Sequence, residues 1–317
     1  MARTSRPPVE AAETVSGASA PARSRLSLLV ISIRPEQWTK NLFVFAGLLF
    51  GRRLTEAAHV ALAVETFLIF CALSAAVYLC NDVLDRESDR HHPLKSSRPI
   101  ASGALATHTA VAAAMALGVG GIGAALAIRP LLAVVATAYV VLLVAYSLRL
   151  KHIVIVDVLT IAFGFVLRAV AGAVAVAVPI SQWLLVCTTL LALFLALSKR
   201  RHELMLLAEG ATGHRRALEE YSPYLLDQMV AVVTASTVVA YAFYATSADT
   251  AERLGTDRLA LTIPFVLYGI FRYLYLVHQK QAGGSPSALL ISDRPLLTCV
   301  ALWAASIVLL LYTPLGS

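Results

Sequence analysis

Apolar residues fill this chain in nine long stretches separated by short polar breaks. The first is itself interrupted: 26–33 is apolar, RPEQWTKN (34–41) is polar, and 42–50 is apolar again. The others are 59–80, 104–128, 131–148, 153–178, 183–198, 224–247, 259–277 and 296–314. A helix needs ~20 residues to cross the hydrocarbon core, so runs of this length predict an all-α polytopic membrane protein with nine transmembrane helices.

Composition agrees. Of the 317 residues, 58% are hydrophobic and 14% charged, and the mean hydropathy is +0.75. A soluble domain carries about 25% charged residues, so that class is excluded. The net charge of +7 would fit a nucleic-acid partner in a soluble protein; here cationic loops that hold helix ends on the cytoplasmic side account for it. Cys71, Cys80, Cys187 and Cys299 all lie in apolar runs without CxxC spacing, which supports neither a disulfide framework nor zinc. Residues 1–24, rich in Ala, Ser, Pro and Arg, read as a disordered cytoplasmic tail, leaving 25–317 as one transmembrane domain.

Charge also sets orientation. With the N-terminus inside, the inner segments 1–40, 81–103, 149–152, 199–216 and 278–294 hold 19 Lys and Arg, against five in the outer connections. That asymmetry places the N-terminus in the cytoplasm and the C-terminus outside. RPEQWTKN, NDVLDRESD, YSLRLKH and SKRRHEL then fall at the cytoplasmic ends of their helices, around one polar chamber.

The densest polar stretch is NDVLDRESDRHHPLKSSRPIASG, 81–103. Asp82, Asp85 and Asp89 stand three and four residues apart, so on a continuing helix their carboxylates share one face. Such carboxylates repel unless a cation lies between them. Mg²⁺ suits the site, because it takes one or two carboxylates and leaves positions for water and phosphate oxygens; Asn81 adds a neutral ligand. Lys95 and Arg98 follow as donors to an anion. The plainer alternative is a solvated acidic helix end neutralised by Arg86 and Arg90. His91 and His92 are adjacent, point apart on a helix, and are not candidate ligands.

Other polar groups face the same end. Lys40 and Asn41 lie deepest in RPEQWTKN and are functional candidates as polar groups inside a membrane segment. Headgroup anchoring explains Arg34 and Trp38. Tyr146, Arg149 and Lys151 stand at the inner boundary. Asp157 and Arg168 lie in the next helix, eleven residues and about 16 Å apart along its axis; they need separate partners or a common polar cavity, and a structural ion pair with other helices is the alternative. In SKRRHEL, Lys199, Arg200 and Arg201 radiate around a helix, so one or two face the chamber. Glu203 either completes a metal site or pairs with Arg200. Arg272 is near enough to the inner end to snorkel.

NDVLDRESD at the inner end of the second helix, RPIASG after it and the nine-segment layout resemble the UbiA superfamily of intramembrane prenyltransferases, over essentially the whole chain from about residue 26. The resemblance implies an all-helical bundle around a cytoplasm-facing cavity. In it Mg²⁺ bridges the aspartates to a diphosphate, and a lateral opening admits a lipid chain. Aromatic prenyltransferases of that superfamily usually carry a second Asp-rich motif after the sixth helix; here that place reads SKRRHELMLLAE. With QWTKN, YSLRLKH and LRAVAGA, the pattern is similar to the branch that transfers phosphoribose from phosphoribosyl diphosphate to a polyprenyl (decaprenyl) phosphate, releasing pyrophosphate, for cell-wall arabinan. The resemblance then implies the metal at Asp82, Asp85, Asp89 and Asn81, and catalysis by Asp82, Asp85, Lys95 and Arg98. Lys40, Asn41, Asn81, Tyr146, Lys151, Asp157, Arg168, Lys199, Arg200, Arg201 and Glu203 are left as the substrate-binding set. The expected partners are the two substrates and bilayer lipid, with no nucleic acid; a homo-oligomer is left open. The expected location is the plasma membrane, with the active site cytoplasmic. Prenyl transfer from a prenyl diphosphate to a small acceptor is the runner-up, and a lipid or ion transporter the third reading.

Overall fold

The computed structural model describes residues 24–92, 95–208, 218, 220–280 and 284–313. The tail expected over 1–24 lies, apart from Ser24, outside the described residues. All regular structure among them is helical. In chain order the helices are α1 (Arg25–Ile33), α2 (Phe45–Phe50), α3 (Ala57–Leu84), α4 (Arg86–Arg90), α5 (Thr107–Ile128), α6 (Pro130–Leu148), α7 (Val156–Ala175), α8 (Gln182–Ala208), α9 (Pro223–Thr246), α10 (Ala248–Leu254), α11 (Ile263–Gln279), α12 (Pro286–Ser292) and α13 (Arg294–Tyr312). Eight segments among the described residues are long and apolar enough to cross a membrane: α3, α5, α6, α7, α8, α9, α11 with the 3-10 turn before it, and α13.

The expected count of nine differs at the first apolar stretch, which is not one helix. It is α1, a 3-10 segment over Pro35–Val44, and α2. Arg34 takes the left-handed conformation at φ 53° that ends α1, a common geometry at helix C-termini, and Pro35, which has no N–H to continue the helix, follows it. The polar insert then continues as a 3-10 coil of ten residues, well beyond the usual length.

This coil packs backbone to backbone on α7. A Cβ on Gly172 would overlap the Val44 carbonyl, so only glycine fits there, which gives LRAVAGA a physical reading. Ala169, Ala171, Ala173 and Ala175 of α7 are also buried. Lipid tails are as apolar as Leu, so close packing by small residues, rather than hydrophobic burial, holds such helices together. Helix α7 stands between two cores. One joins Phe70 and Leu73 of α3 to Leu132 and Tyr139 of α6; the other joins Phe194 and Leu197 of α8 to Leu226 of α9 and Ile270 of α11.

Successive helices alternate in direction, so the ends of α3, α6, α8 and α11 meet the starts of α5, α7, α9 and α13. Cross-helix ion pairs gather at that end: Lys151 to Asp85, Arg200 to Asp157, Arg201 to Asp227 and Arg272 to Asp293. The one-sided polarity expected from the sequence is therefore a property of the fold.

Candidate active site

The first centre lies where α3 ends. Asp82 and Asp89 are each about 3% exposed, and buried carboxylates need cations. Arg98 supplies one: a single guanidinium nitrogen, Nη1, donates to Asp82 Oδ1 at 3.1 Å and to Asp89 Oδ2 at 2.6 Å. Arg34 Nη2 donates to the same Asp82 oxygen at 2.5 Å, its guanidinium lying 5.2 Å from the centre of the Tyr78 ring. Lys95 Nζ is 3.9 Å from Asp89. Helix α3 stops at Leu84, and Asp85 caps it with ψ near 0. Its carboxylate accepts from Lys151 Nζ at 2.7 Å.

RPIASG holds Arg98 in place. Ile100 is buried with Leu79, Leu105 and Leu28, Arg90 Nε donates to the Ala101 carbonyl at 3.1 Å, and Gly103 turns the chain at φ 81°, a conformation natural to glycine. Burial, with Lys95 nearby, keeps the His92 imidazole below its ordinary pKa.

These residues correct the simplest sequence expectation. The three carboxylates do not converge, and among the described residues no three acidic, His or Cys side chains are grouped to hold a metal. The break at Leu84 and the pull of Lys151 separate Asp85 from the other two. The neutralising cations also differ from those expected: Arg90 pairs with Glu87, while the aspartates are met by Arg34, Arg98 and Lys151. A divalent ion still fits in part. Asp82 and Asp89 face each other across one nitrogen, and two carboxylates with free positions for phosphate oxygens are what Mg²⁺ takes. Asn81 sits on the last turn of α3, its carbonyl accepting the Asp85 N–H at 2.8 Å.

The second centre ties α6, α7 and α8 together. Asp157, 1% exposed, accepts from Arg200 Nε at 2.7 Å and from the Tyr221 hydroxyl at 2.9 Å. Arg200 also donates to Glu203 and, at 2.9 Å, to the Tyr146 hydroxyl. Glu203 thus takes the second of its two expected roles, with Lys199 Nζ at 3.6 Å. The Tyr221 oxygen accepts the Ile155 N–H at 2.7 Å. Ile155 has φ 68°, a strained conformation for a β-branched residue, and that turn links Lys151 to Asp157. Burial pushes the Tyr221 phenol up, so it stays protonated as a donor.

A third group lies deeper. Arg168 Nε donates to Asn41 Oδ1 at 2.7 Å, Nη1 to the Gly164 carbonyl at 2.9 Å, and Nη2 to the Tyr139 hydroxyl at 2.6 Å. Ser74 bonds both Asn41 and Tyr139, and Asn41 donates to Cys71 Sγ at 3.3 Å. Asp157 and Arg168 therefore have separate partners.

The structure gathers Asp82, Asp89, Lys95 and Arg98, with Asp85 and Lys151 beside them, and separately Tyr146, Asp157, Arg200, Glu203 and Lys199. Arg201 stands apart: it pairs with Asp227 of α9, which His278 of α11 also approaches at 3.4 Å. Arg272 is held bidentately by Asp293 at 3.1 and 2.8 Å, and that bond keeps the Asp293 carboxylate below its usual range. Sequence reasoning missed Arg34 as a partner of Asp82, as well as Tyr139 and Tyr221. For Arg34 the signal was its place in a polar insert; for the tyrosines there was none beyond residue type.

Residues 41–292 match the UbiA prenyltransferase family. Decaprenyl-phosphate phosphoribosyltransferase of Mycolicibacterium smegmatis is 34% identical over 298 residues, spanning 90% of this chain and 93% of that protein. The protein of the same name from Mycobacterium tuberculosis is 33% identical over 283 residues, spanning 88% and 92%. Among solved structures, a UbiA homolog from Archaeoglobus fulgidus bound to GPP and Mg²⁺ shares the fold with a TM-score of 0.68 at 19% identity, covering 89% of this chain and 98% of that one.

Proposed function

The chain belongs to the UbiA prenyltransferase family, and from that premise we propose that it transfers 5-phosphoribose from phosphoribosyl diphosphate to a polyprenyl phosphate, releasing pyrophosphate and supplying an activated pentose for cell-wall arabinan. The observation that carries this reading is one acidic centre, at the end of α3, lined by Arg34, Lys95, Arg98 and Lys151. Asp82 and Asp89, with Asp85 beside them on Lys151, offer a place for a metal and diphosphate, while at the second centre Lys199 and Arg200, each on a carboxylate, stand where a further acidic motif would serve a prenyl donor. Donor and acceptor together bear a diphosphate and two phosphate monoesters, which suits an acidic centre that carries four cations of its own.

Asp82 and Asp89, with Asp85 beside them, would hold Mg²⁺, which when bound neutralises charge growing on the leaving diphosphate. Arg98, Lys95 and Lys151 stand at those carboxylates and donate to the pyrophosphate oxygens as the bond from C1 breaks. Positive charge builds at C1 and the ring oxygen, and an oxygen of the lipid phosphate forms the new bond to C1 from the opposite face. That phosphate is already ionised, so no general base is required. The charged end faces the cytoplasm of a plasma membrane, in keeping with the 19 to five division of Lys and Arg.

The test is transfer in membranes. Ribose-labelled phosphoribosyl diphosphate gives a lipid-soluble product that requires Mg²⁺ and is lost in Asp82→Ala and Asp85→Ala. No labelled lipid from the unaltered chain overturns the proposal.

A further inference from the structure

Between α6 and α7 the chain makes a turn that its sequence does not favour. Ile155 has φ 68° and ψ −45°, and the Val156 N–H bonds back to the Val154 carbonyl at 2.8 Å. Together these make Ile155 the centre of a γ-turn of the rare, strained kind. A β-branched residue resists positive φ, and such strain persists only where the surroundings over-determine it. Side-chain packing is not the cause, since Ile155 is 45% exposed. Its backbone is gripped instead. The Tyr221 oxygen accepts the Ile155 N–H at 2.7 Å, while its proton is donated to Asp157 Oδ1 at 2.9 Å. One hydroxyl serves both because it has a donor and free lone pairs. Asp157 is itself fixed by Arg200.

On the other side of the turn stands Lys151, in the 3-10 turn Leu150–His152. The Ile153 N–H bonds to the Leu150 carbonyl at 3.2 Å and the Asp157 N–H to the Ile153 carbonyl at 3.0 Å. The 3-10 turn, the γ-turn and α7 thus follow one another without slack. Lys151 is 7% exposed and reaches Asp85 at 2.7 Å, so its stem has little room to compensate for a change in backbone direction.

We infer that Tyr221 is a positioning residue: by holding the γ-turn at Ile155 it aims the Lys151 ammonium at Asp85, and so at the diphosphate received there. The closed centre of α7 and α8 thereby sets the geometry of the open one at the end of α3. The inference deepens the proposed reaction and rests on the use that reaction makes of Lys151.

The test follows pyrophosphate binding to the purified full chain with Mg²⁺ by calorimetry. Lys151→Gln weakens binding by about tenfold, and Tyr221→Phe by nearly as much. The double variant binds no more weakly than Lys151→Gln, because both changes remove the same ammonium from the site. Ile155→Gly takes this turn without strain, so it restores binding to Tyr221→Phe but not to Lys151→Gln. If Tyr221→Phe does not fold alone, Ile155→Gly is compared with and without it: equal binding supports the inference and unequal binding overturns it. Unchanged binding in Tyr221→Phe or in Lys151→Gln, or losses that add in the double variant, also overturn it. So does a loss that Ile155→Gly leaves in place, which marks a merely structural role, and so does an unaltered chain that binds no pyrophosphate. Labelled transfer from phosphoribosyl diphosphate is measured alongside. Its absence sinks the proposed reaction, whereas the pattern in pyrophosphate binding, common to any diphosphate donor, still upholds the role of Tyr221.

Discussion

The two charged centres use the same residue types to different ends. At the mouth of α3, Arg34 and Arg98 keep 22% and 27% of their side chains exposed while holding Asp82. They reach it from a coil and a loop, so these cations have room to leave a carboxylate for a phosphate. At the α7–α8 centre, Arg200 and Asp157 are 3% and 1% exposed, and two tyrosine hydroxyls fill the remaining directions. That pair is closed. A charge cluster that is accessible and shares one nitrogen between two acids is built to exchange partners; one sealed by hydroxyls is built to hold helices.

The contrast can be broken in order of effect. Arg200→Met leaves the buried Asp157 without its cation and destabilises the fold by about 3–5 kcal/mol, read as loss of folded protein in detergent denaturation. Asp82→Asn lowers transfer by ~10²–10³ while the denaturation midpoint barely moves, because the guanidiniums it releases are within reach of water. Tyr221→Phe removes the acceptor for the Ile155 N–H and a donor to Asp157, for a stability loss of about 1–2 kcal/mol in the same denaturation. Arg201→Gln breaks a pair whose Asp227 partner is 39% exposed; it costs under about 1 kcal/mol, and labelled transfer is unchanged. If Asp82→Asn unfolded the chain, or Arg200→Met left it stable and inactive, the division of labour between the centres would be reversed.

The helices, the one-sided polarity and the concentration of charge over 81–103 were legible in the sequence, because membrane length and charge asymmetry are local signals. RPIASG was legible as a motif, though not as the loop that buries Ile100 to aim Arg98. Helix rotation was not legible. Runs such as 59–80 and 131–148 are apolar on all sides, so no periodicity shows that Ser74 and Tyr139 turn inward to meet Asn41 and Arg168. Arg34 lies 48 residues from Asp82, and their pairing depends on a left-handed turn before Pro35 that folds the coil onto α3 and α7. The separation of Asp85 from its neighbours follows from a helix end at Leu84, and spacing alone predicted a continuing helix.

The central claim is that the acidic centre receives a diphosphate attached to ribose. It is tested most directly by giving the purified chain Mg²⁺, polyprenyl phosphate and phosphoribosyl diphosphate, in competition with a prenyl diphosphate and a small aromatic acceptor, and identifying the products by mass spectrometry. The account predicts a polyprenyl phosphate that has gained phosphoribose, with pyrophosphate released in equal amount. A prenylated small acceptor, with the ribose donor left intact, would contradict it.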